Sequence, residues 1–411
     1  MLKVVHIQKS SKSAGGSALR LHNAFIESNI DSYILTLYPD ENDTERIFYP
    51  DKISKLISII NDKINLFTSR KNRKEFGLFS YTILRIDVSK LRHIREADII
   101  YLHWVQGEFL NLSGYSKLAK MGKPVIVVMH DMWSITGGCH YSFLCEKYKS
   151  KCNECQVFED NKKYDMSARG FKRKNRLYSD YKNFYFISPS KWLYACAKES
   201  SLLRSKPIFH IPNIIDNTIF KPLDKFFARR IFNIDEVDHV IAFGAVSIDS
   251  PYKGWDYIQE ALSILKKELS SDKITVLIFG KGVSKQVTDR IPFKTKSTGY
   301  LKDEYSVAMV YNAADVFVTP SLADNLPTTI LESLSCGTPV VGFNTGGIPE
   351  MIEHRSNGYI ARYKDAYDLA EGIKFCLEQK IRGRLLPEFE KSVTLEKHFE
   401  LLESARKFKF S

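Results

Sequence analysis

Short apolar runs alternate with amphipathic stretches along most of the chain. Lys3 to Ile7, Ser32 to Leu37, Asp98 to His103, Pro124 to Met129, Asn183 to Ile187 and Pro207 to Ile211 read as buried strands, with helical spacing of apolar residues between most of them. A second series comprises Val240 to Phe243, Ile274 to Phe279, Val316 to Thr319, Pro339 to Val341 and Tyr359-Ile360. Strands that are apolar throughout belong to sheets covered on both faces, and strand–helix alternation implies parallel pairing through helical crossovers. The fold class is therefore α/β. A chain of 411 residues exceeds what one core usually supports. The Pro and Asn residues of Ile211 to Asn217 (IPNIIDN) suit a linker. The expected division is a domain over residues 1–212, a second over 213–392, and a C-terminal helix over 393–411 packing back toward the first.

Composition adds little: 44% hydrophobic and 26% charged residues are ordinary for a soluble globular protein. Met1 leads directly into the first strand with no signal-peptide pattern, and apolar runs such as Pro124 to Met129 are too short to span a bilayer. A cytoplasmic protein is expected. Charge changes the picture more, because 34 Lys and Arg face 21 Asp and Glu through Ile215, against 26 and 27 beyond it. The excess concentrates at Arg70 to Lys74 and at Arg169 to Arg176 (RGFKRKNR). Such runs suit anionic lipid or phosphorylated substrates as well as a merely solvated face. No nucleic-acid-binding signature accompanies them, so no nucleic-acid partner is expected. Lys52 to Lys74 also places Ile53, Leu56, Ile57, Ile60, Ile64 and Phe67 at helical spacing among Lys52, Lys55 and Lys63. That pattern fits a helix lying on an anionic membrane surface or one packed on the core.

Candidate chemistry lies in four places. After the first strand, Ser13-Ala14-Gly15-Gly16-Ser17 opens a helical pattern, where glycines permit close backbone approach and a helix N-terminus favours an anion. The stretch lacks the G-x-G-x-x-G spacing of a dinucleotide oxidoreductase. His130-Asp131 follows the strand Pro124 to Met129 and should emerge at the carboxyl edge of its sheet, where open α/β folds bind ligands, with His103-Trp104 beside it. Asp131 is placed to orient the His130 imidazole or raise its pKa. Cys139, Cys145, Cys152 and Cys155 cluster and end in C-x-x-C, which suits a structural zinc, a disulfide or redox pair, or free thiols. The most informative stretch is Val316 to Gly347 (VFVTPSLADNLPTTILESLSCGTPVVGFNTGG). Here a strand runs into a loop carrying Asp324 and Asn325, then a helix whose N-terminus would face a diphosphate, with Asp324 and Glu332 bracketing that end.

This segment resembles the signature of the retaining family 4 glycosyltransferases, in which two acidic residues are separated by seven others, followed here by Ser335 to Val341 (SCGTPVV). Phe243-Gly244-Ala245 with Lys253-Gly254 is similar to the donor-phosphate segment, with Ala245 where an Arg is common. Gly299-Tyr300-Leu301 and Ala313 to Val316 resemble the approach to the nucleotide base, and Gly346 to Glu350 the loop closing over the sugar. In the N-terminal half, Gly15-Gly16 and His130-Asp131 resemble the face that closes on the donor. The nearest resemblance is to bacterial surface-polysaccharide enzymes. It implies a GT-B fold: two Rossmann-like domains whose parallel sheets face across a cleft. It implies donor binding by Gly16, Lys253, Asp324, Asn325, Leu326 and Glu332, and catalysis by Asp324, Lys253 and His130. The implied reaction moves a hexose from a nucleotide diphosphate sugar to a hydroxyl of a lipid-linked oligosaccharide with retention, with no cofactor required. Zinc, if present at the four cysteines, would be structural. Such an enzyme would sit peripherally on the inner face of the cytoplasmic membrane. A catalytically inactive sugar-nucleotide-binding protein and a GT-B epimerase or phosphorylase are the alternatives.

Overall fold

The computed structural model describes residues 1–11, 16–40, 43–68, 77–158, 163–247, 250, 252–269, 273–284 and 288–408. Gly15 and the basic cluster Arg70 to Lys74 lie outside the described residues. The chain divides into two compact units, one of Met1–Ile214 with Ser392–Ser411, the other of Ile215–Lys391.

Unit 1 is built on β1 (Lys3–Ser10), β2 (Asp31–Tyr38), β3 (Ile47–Phe48), β4 (Ile99–Leu102), β5 (Val125–Val128), β6 (Phe184–Ser188) and β7 (Ile208–His210). Their order is β3-β2-β1-β4-β5-β6-β7, and every pairing is parallel. One face of the sheet joins Val5, Ile100, Val125 and Phe186 to Tyr115, Trp133 and Tyr178. The other joins Val4, Tyr101 and Ile126 to Phe25 and to Leu401, Leu402 and Ala405 of the last helix, Lys391–Phe408. That helix thus completes the core of unit 1.

Helix α1 (Ser17–Glu27) begins at Gly16, which adopts a left-handed conformation. Helix α2 (Lys52–Thr68) places polar residues on its inner face beside Ile57, which packs on the core, and the half-buried Ile64. Its buried positions are Ser58, Asn61 and Asn65, while Ile53, Leu56, Ile59 and Ile60 are exposed at 69%, 59%, 42% and 40%. The asparagines substitute for ladder partners. Asn61 donates to the carbonyls of Leu84 (3.0 Å) and Glu108 (3.3 Å) and accepts from the Leu84 amide at 2.9 Å; Asn65 accepts from the Tyr81 amide at 2.9 Å. A buried amide that satisfies backbone groups of irregular chain costs little, whereas an isoleucine there would leave those groups unpaired. The basic run Arg169 to Arg176 lies on the helix Met166–Asp180, with Arg169, Lys172, Arg173 and Arg176 exposed and Lys174 buried.

Unit 2 carries β8 (His239–Ser247), β9 (Ile274–Lys281), β10 (Lys294–Gly299), β11 (Val316–Thr319), β12 (Val340–Phe343) and β13 (Gly358–Ala361). The order is β10-β9-β8-β11-β12-β13, again parallel throughout. Strand order reverses at β8, so the loops leaving β8 and β11 flank the topological switch point where open α/β sheets bind ligands. Apolar strands and the helices Trp255–Glu268 and Ala366–Gln379 form one layer of core, and Tyr311, Phe317 and Leu331 anchor the other. Among the described residues no helix is long and apolar enough to cross a membrane.

Candidate active site

Two loops of unit 2 meet at the switch point. The loop after β8 ends at Gly254, which caps the helix Trp255–Glu268 at φ 70°, and a Cβ there would collide with the Pro320 carbonyl oxygen at the end of β11. This close approach brings Lys253 beside the loop after β11. Its Nζ lies 2.6 Å from Asp324 Oδ2, and the Leu322 amide donates to the Tyr252 carbonyl at 2.7 Å. A third loop, after β12, packs on the same place. Gly346 adopts φ 58° because a Cβ would strike the Asp324 carbonyl, to which the Gly347 amide donates at 3.3 Å. Tyr363 adds a hydrogen bond from its hydroxyl to the Leu322 carbonyl at 3.1 Å.

The electrostatics follow from partial burial. Removal from water opposes the Lys253 charge, yet the Asp324 carboxylate more than offsets this and raises the lysine pKa. Asp324 is 8% exposed, and its second oxygen accepts from the Asn325 amide at 3.1 Å. Asn325 and Leu326 are buried, so the Asp-Asn-Leu stretch is held by its surroundings. The helix Thr328–Ser335 then begins at Pro327 with no side-chain cap. Its first-turn amides point N-terminally and favour an anion. Glu332 lies one turn along, on the face shared with Thr328, and its Oε2 accepts from the Tyr311 hydroxyl at 3.1 Å. Lys253 and Asp324 therefore meet from two loops, Asn325 and Leu326 follow on the second loop, and Glu332 lies on the helix that continues it. A cation, a helix N-terminus and two carboxylates can hold a diphosphate flanked by hydroxyl-bearing sugars. Tyr311, 21 residues before Glu332, carried no sequence signal beyond its place in a helical pattern.

Gly16 and His130 belong to unit 1, and His130 stands half-buried just beyond β5. Asp131 acts on His130 in the expected direction but is outweighed, and its hydrogen bonds go elsewhere. Asp131 accepts from His140 Nδ1 at 2.6 Å, from Trp104 Nε1 at 3.1 Å and from the Trp133 amide at 2.8 Å. Those bonds use its carboxylate, and burial lowers the His130 pKa despite the opposing Asp131 charge. Of the three readings open for the cysteines, free thiols match the structure. Among the described residues no group of three or more His, Cys, Asp or Glu is arranged to hold a metal ion. Cys139, Cys145, Cys152 and Cys155 are thiols rather than disulfides. Burial raises the Cys139 and Cys155 thiols and pushes Cys152 up to about 12, its sulfur accepting from the Gly137 amide at 3.2 Å. The four cysteines lie in the segment between β5 and the helix Met166–Asp180 as buried or half-buried thiols.

Residues 238–379 match the family model for Glycosyl transferases group 1. The chain is similar to the putative colanic acid biosynthesis glycosyl transferase WcaC of Escherichia coli, 24% identical over 405 residues that cover 93% of each protein. It is 28% identical over 171 residues to the amylovoran biosynthesis glycosyltransferase AmsK of Erwinia amylovora, a match spanning 37% of this chain and 42% of that protein. Among solved structures, Anabaena HepE, in complex with UDP and glucose, superposes with a TM-score of 0.65 at 15% identity, covering 98% of this chain and 100% of that one. Sucrose-phosphate synthase from Thermosynechococcus elongatus superposes with a TM-score of 0.61 at 15% identity, with 98% and 100% covered. At that identity the likeness concerns the fold, two parallel-sheet α/β domains of the GT-B kind.

Proposed function

Because residues 238–379 form a glycosyltransferase group 1 domain in a chain of GT-B fold, we propose that the protein transfers a hexose from a nucleotide diphosphate sugar to a hydroxyl of a lipid-linked oligosaccharide, with retention, in bacterial surface-polysaccharide synthesis. One observation carries the donor-site reading. The Lys253–Asp324 pair stands at the carboxyl ends of β8 and β11, beside a helix N-terminus whose N-cap residue, Pro327, makes no side-chain cap, with Glu332 one turn further. In this reading Lys253 and the first-turn amides of Thr328–Ser335 neutralise the diphosphate, Glu332 holds the ribose hydroxyls, and Asp324 positions the hexose. The bond from the anomeric carbon to the diphosphate oxygen breaks, the charge leaving onto the diphosphate. The acceptor oxygen then bonds to the same face, its proton passing to the departing phosphate oxygen. Preorganised positive charge lowers the barrier because it stabilises the leaving group most when its charge is greatest. His130 is assigned to hold donor or acceptor from unit 1. The HepE complexes with UDP and UDP-glucose, and the polysaccharide names of WcaC and AmsK, favour a uridine donor and a surface glycan.

A lipid-linked acceptor must be met at a membrane surface. The outward apolar stripe of α2, Ile53, Leu56 and Ile60, flanked by exposed Lys52, Lys55 and Lys63, supports docking on anionic lipid. The test of the whole reading is a panel of nucleotide sugars incubated with extracted lipid-linked acceptor, scored for nucleotide diphosphate release and for sugar attached to lipid. Both products in equal amount are expected. Binding without release would favour an inactive sugar-nucleotide-binding protein, and release without a lipid-linked product an epimerase or phosphorylase.

A further inference from the structure

The basic run on the helix Met166–Asp180 turns three of its residues onto a pocket of unit 1 that the proposed donor site does not use. Gly170, Arg173 and Lys174 share a face at helical spacing and line this pocket together. Glycine is needed at the first of them, because a Cβ on Gly170 would stand 2.0 Å from the Gly137 carbonyl oxygen. That close packing carries Lys174 inward, its Nζ 3.4 Å from the Trp133 ring centroid and donating to the Thr136 carbonyl at 3.0 Å. Arg173 stays exposed, its Nη1 donating to the Tyr81 hydroxyl at 3.2 Å. Neither cation forms an ion pair among the described residues. Asp131, Cys139 and Cys152 favour the Lys174 charge from a distance, too weakly to offset its burial.

Thr82 lines the same pocket, 7% exposed, and its Oγ1 is buried with no hydrogen-bond partner. Asn111 and Leu112 add the N-terminus of the helix Leu112–Ala119, an end that favours negative charge. Two cations without counter-charges, a hydroxyl without a partner and a helix N-terminus make a site for a phosphate oxyanion. With its mouth the cavity measures about 270 Å³, below the roughly 300–1,000 Å³ that encloses a drug-sized ligand, so it takes a head group rather than a sugar or a nucleotide. Ile83 and Leu84, 47% and 36% exposed, follow Thr82 directly. The same segment is tied to α2, since Asn65 accepts from the Tyr81 amide and Asn61 bonds both the amide and the carbonyl of Leu84. The pocket therefore adjoins exposed apolar side chains as well as the exposed Arg169, Lys172 and Arg176 of its own helix. We infer that it holds the phosphate end of a lipid-linked acceptor: Arg173 and Lys174 meet the charge, Thr82 donates to a phosphate oxygen, and the lipid chain leaves over Ile83 and Leu84 toward α2. The inference rests on the reading of the acceptor as lipid-linked. Phosphate from solution would meet the same groups, so the test separates the two sources.

Titration calorimetry of the full-length protein, with excess UDP filling the unit 2 site, compares farnesyl diphosphate, farnesol and inorganic pyrophosphate. Farnesyl diphosphate should bind about tenfold or more tightly than either of the others, because each of those lacks one half of the contact. Arg173→Gln should weaken it about three- to thirtyfold and Thr82→Val about two- to tenfold. Both variants should keep a cooperative melt and their affinity for UDP, which shows that the change is local to the pocket. No binding of farnesyl diphosphate, or unchanged affinity in both variants, overturns the inference. Equal affinity for pyrophosphate and farnesyl diphosphate overturns the lipid as the source of the phosphate. Failure of UDP to bind, or absence of sugar transfer while farnesyl diphosphate follows the expected pattern, would instead count against the transferase reading.

Discussion

The Lys253–Asp324 pair makes stability and turnover separable. At 2.6 Å, with side chains 28% and 12% exposed, the pair is neither fully buried nor freely solvated. Lys253→Met leaves the Asp324 carboxylate with the Asn325 amide as a remaining donor. An unpaired, largely buried charge costs about 1–3 kcal/mol after discounting for that residual bond and for solvent, which corresponds to a fall of about 2–10 °C in melting temperature. Asp324→Asn costs less, on the order of 1 kcal/mol, because the Lys253 ammonium can turn toward water. The double variant has no unpaired charge and should recover most of the loss. Turnover should behave differently. Without the oriented cation the departing diphosphate loses a charge-assisted hydrogen bond worth about 1.5–3 kcal/mol, so Lys253→Met and the double variant should both fall about ten- to a hundredfold or more. Thermal melts alongside nucleotide diphosphate release measure the two quantities. If turnover rises with stability in the double variant, Lys253 is a structural partner of Asp324 and the phosphate site lies elsewhere.

Glu332→Ala should weaken bare nucleotide and nucleotide sugar alike by about 1.5–3 kcal/mol in titration calorimetry, whereas Asp324→Asn should spare bare nucleotide; equal losses in both variants would reverse the assigned contacts. Replacing Ile53, Leu56 and Ile60 with Ser should reduce co-sedimentation with anionic vesicles without changing the melt, since these side chains are exposed, and unaltered sedimentation would remove α2 as the docking face. Burial lowers His22 to about 4 and His398 to about 3. Both lie below the unfolded value near 6.5, so the unfolded state binds the extra protons and stability is lost as pH falls below about 6.5, by about 1.4 kcal/mol per pH unit for each residue. Urea midpoints should fall steadily from pH 6.5 to 4.5, less steeply in His398→Phe, and a flat profile would contradict the burial argument.

How much of this was legible depended on whether the deciding contact was local. Parallel strands covered on both faces are written as apolar runs, and β1, β5, β9 and β11 stood out for that reason. β10 reads KTKSTG and β3 has two residues, so neither edge strand displays an apolar run; pairing with β9 and β2 creates them. Asp324 and Glu332 sit on one loop–helix segment, and their spacing could be seen. Lys253 is 71 residues from Asp324, and its partner followed only from the strand order that places β8 beside β11. Side-chain direction was the hardest part. Lys174, within a basic run, turns into the core, where its Nζ sits 3.4 Å from the Trp133 ring centroid and its pKa falls to about 7 through burial. Helix α2 leaves Ile53, Ile59 and Ile60 exposed and places Asn61 and Asn65 inside beside the half-buried Ile57, because those asparagines have backbone groups to satisfy there. Periodicity reports that a helix has two faces, and hydrogen-bond demand from irregular chain decided which face went in.

The same demand explains why the site can be charged before any ligand arrives. A lysine at the switch point, largely withdrawn from water, would lower its own pKa by burial; Asp324 reverses that and keeps the ammonium charged. The cost is competition, because a diphosphate entering at the N-terminus of Thr328–Ser335 must share Lys253 with the carboxylate. In the proposed transfer this sharing is useful. As the lysine turns toward phosphate, Asp324 is released on the sugar side, beside the bond that breaks, and the cation is strongest on the leaving group when its charge has developed. Partial exposure at the point where three loops meet also spares the pair the desolvation cost of full enclosure and leaves the ammonium within reach of an entering anion.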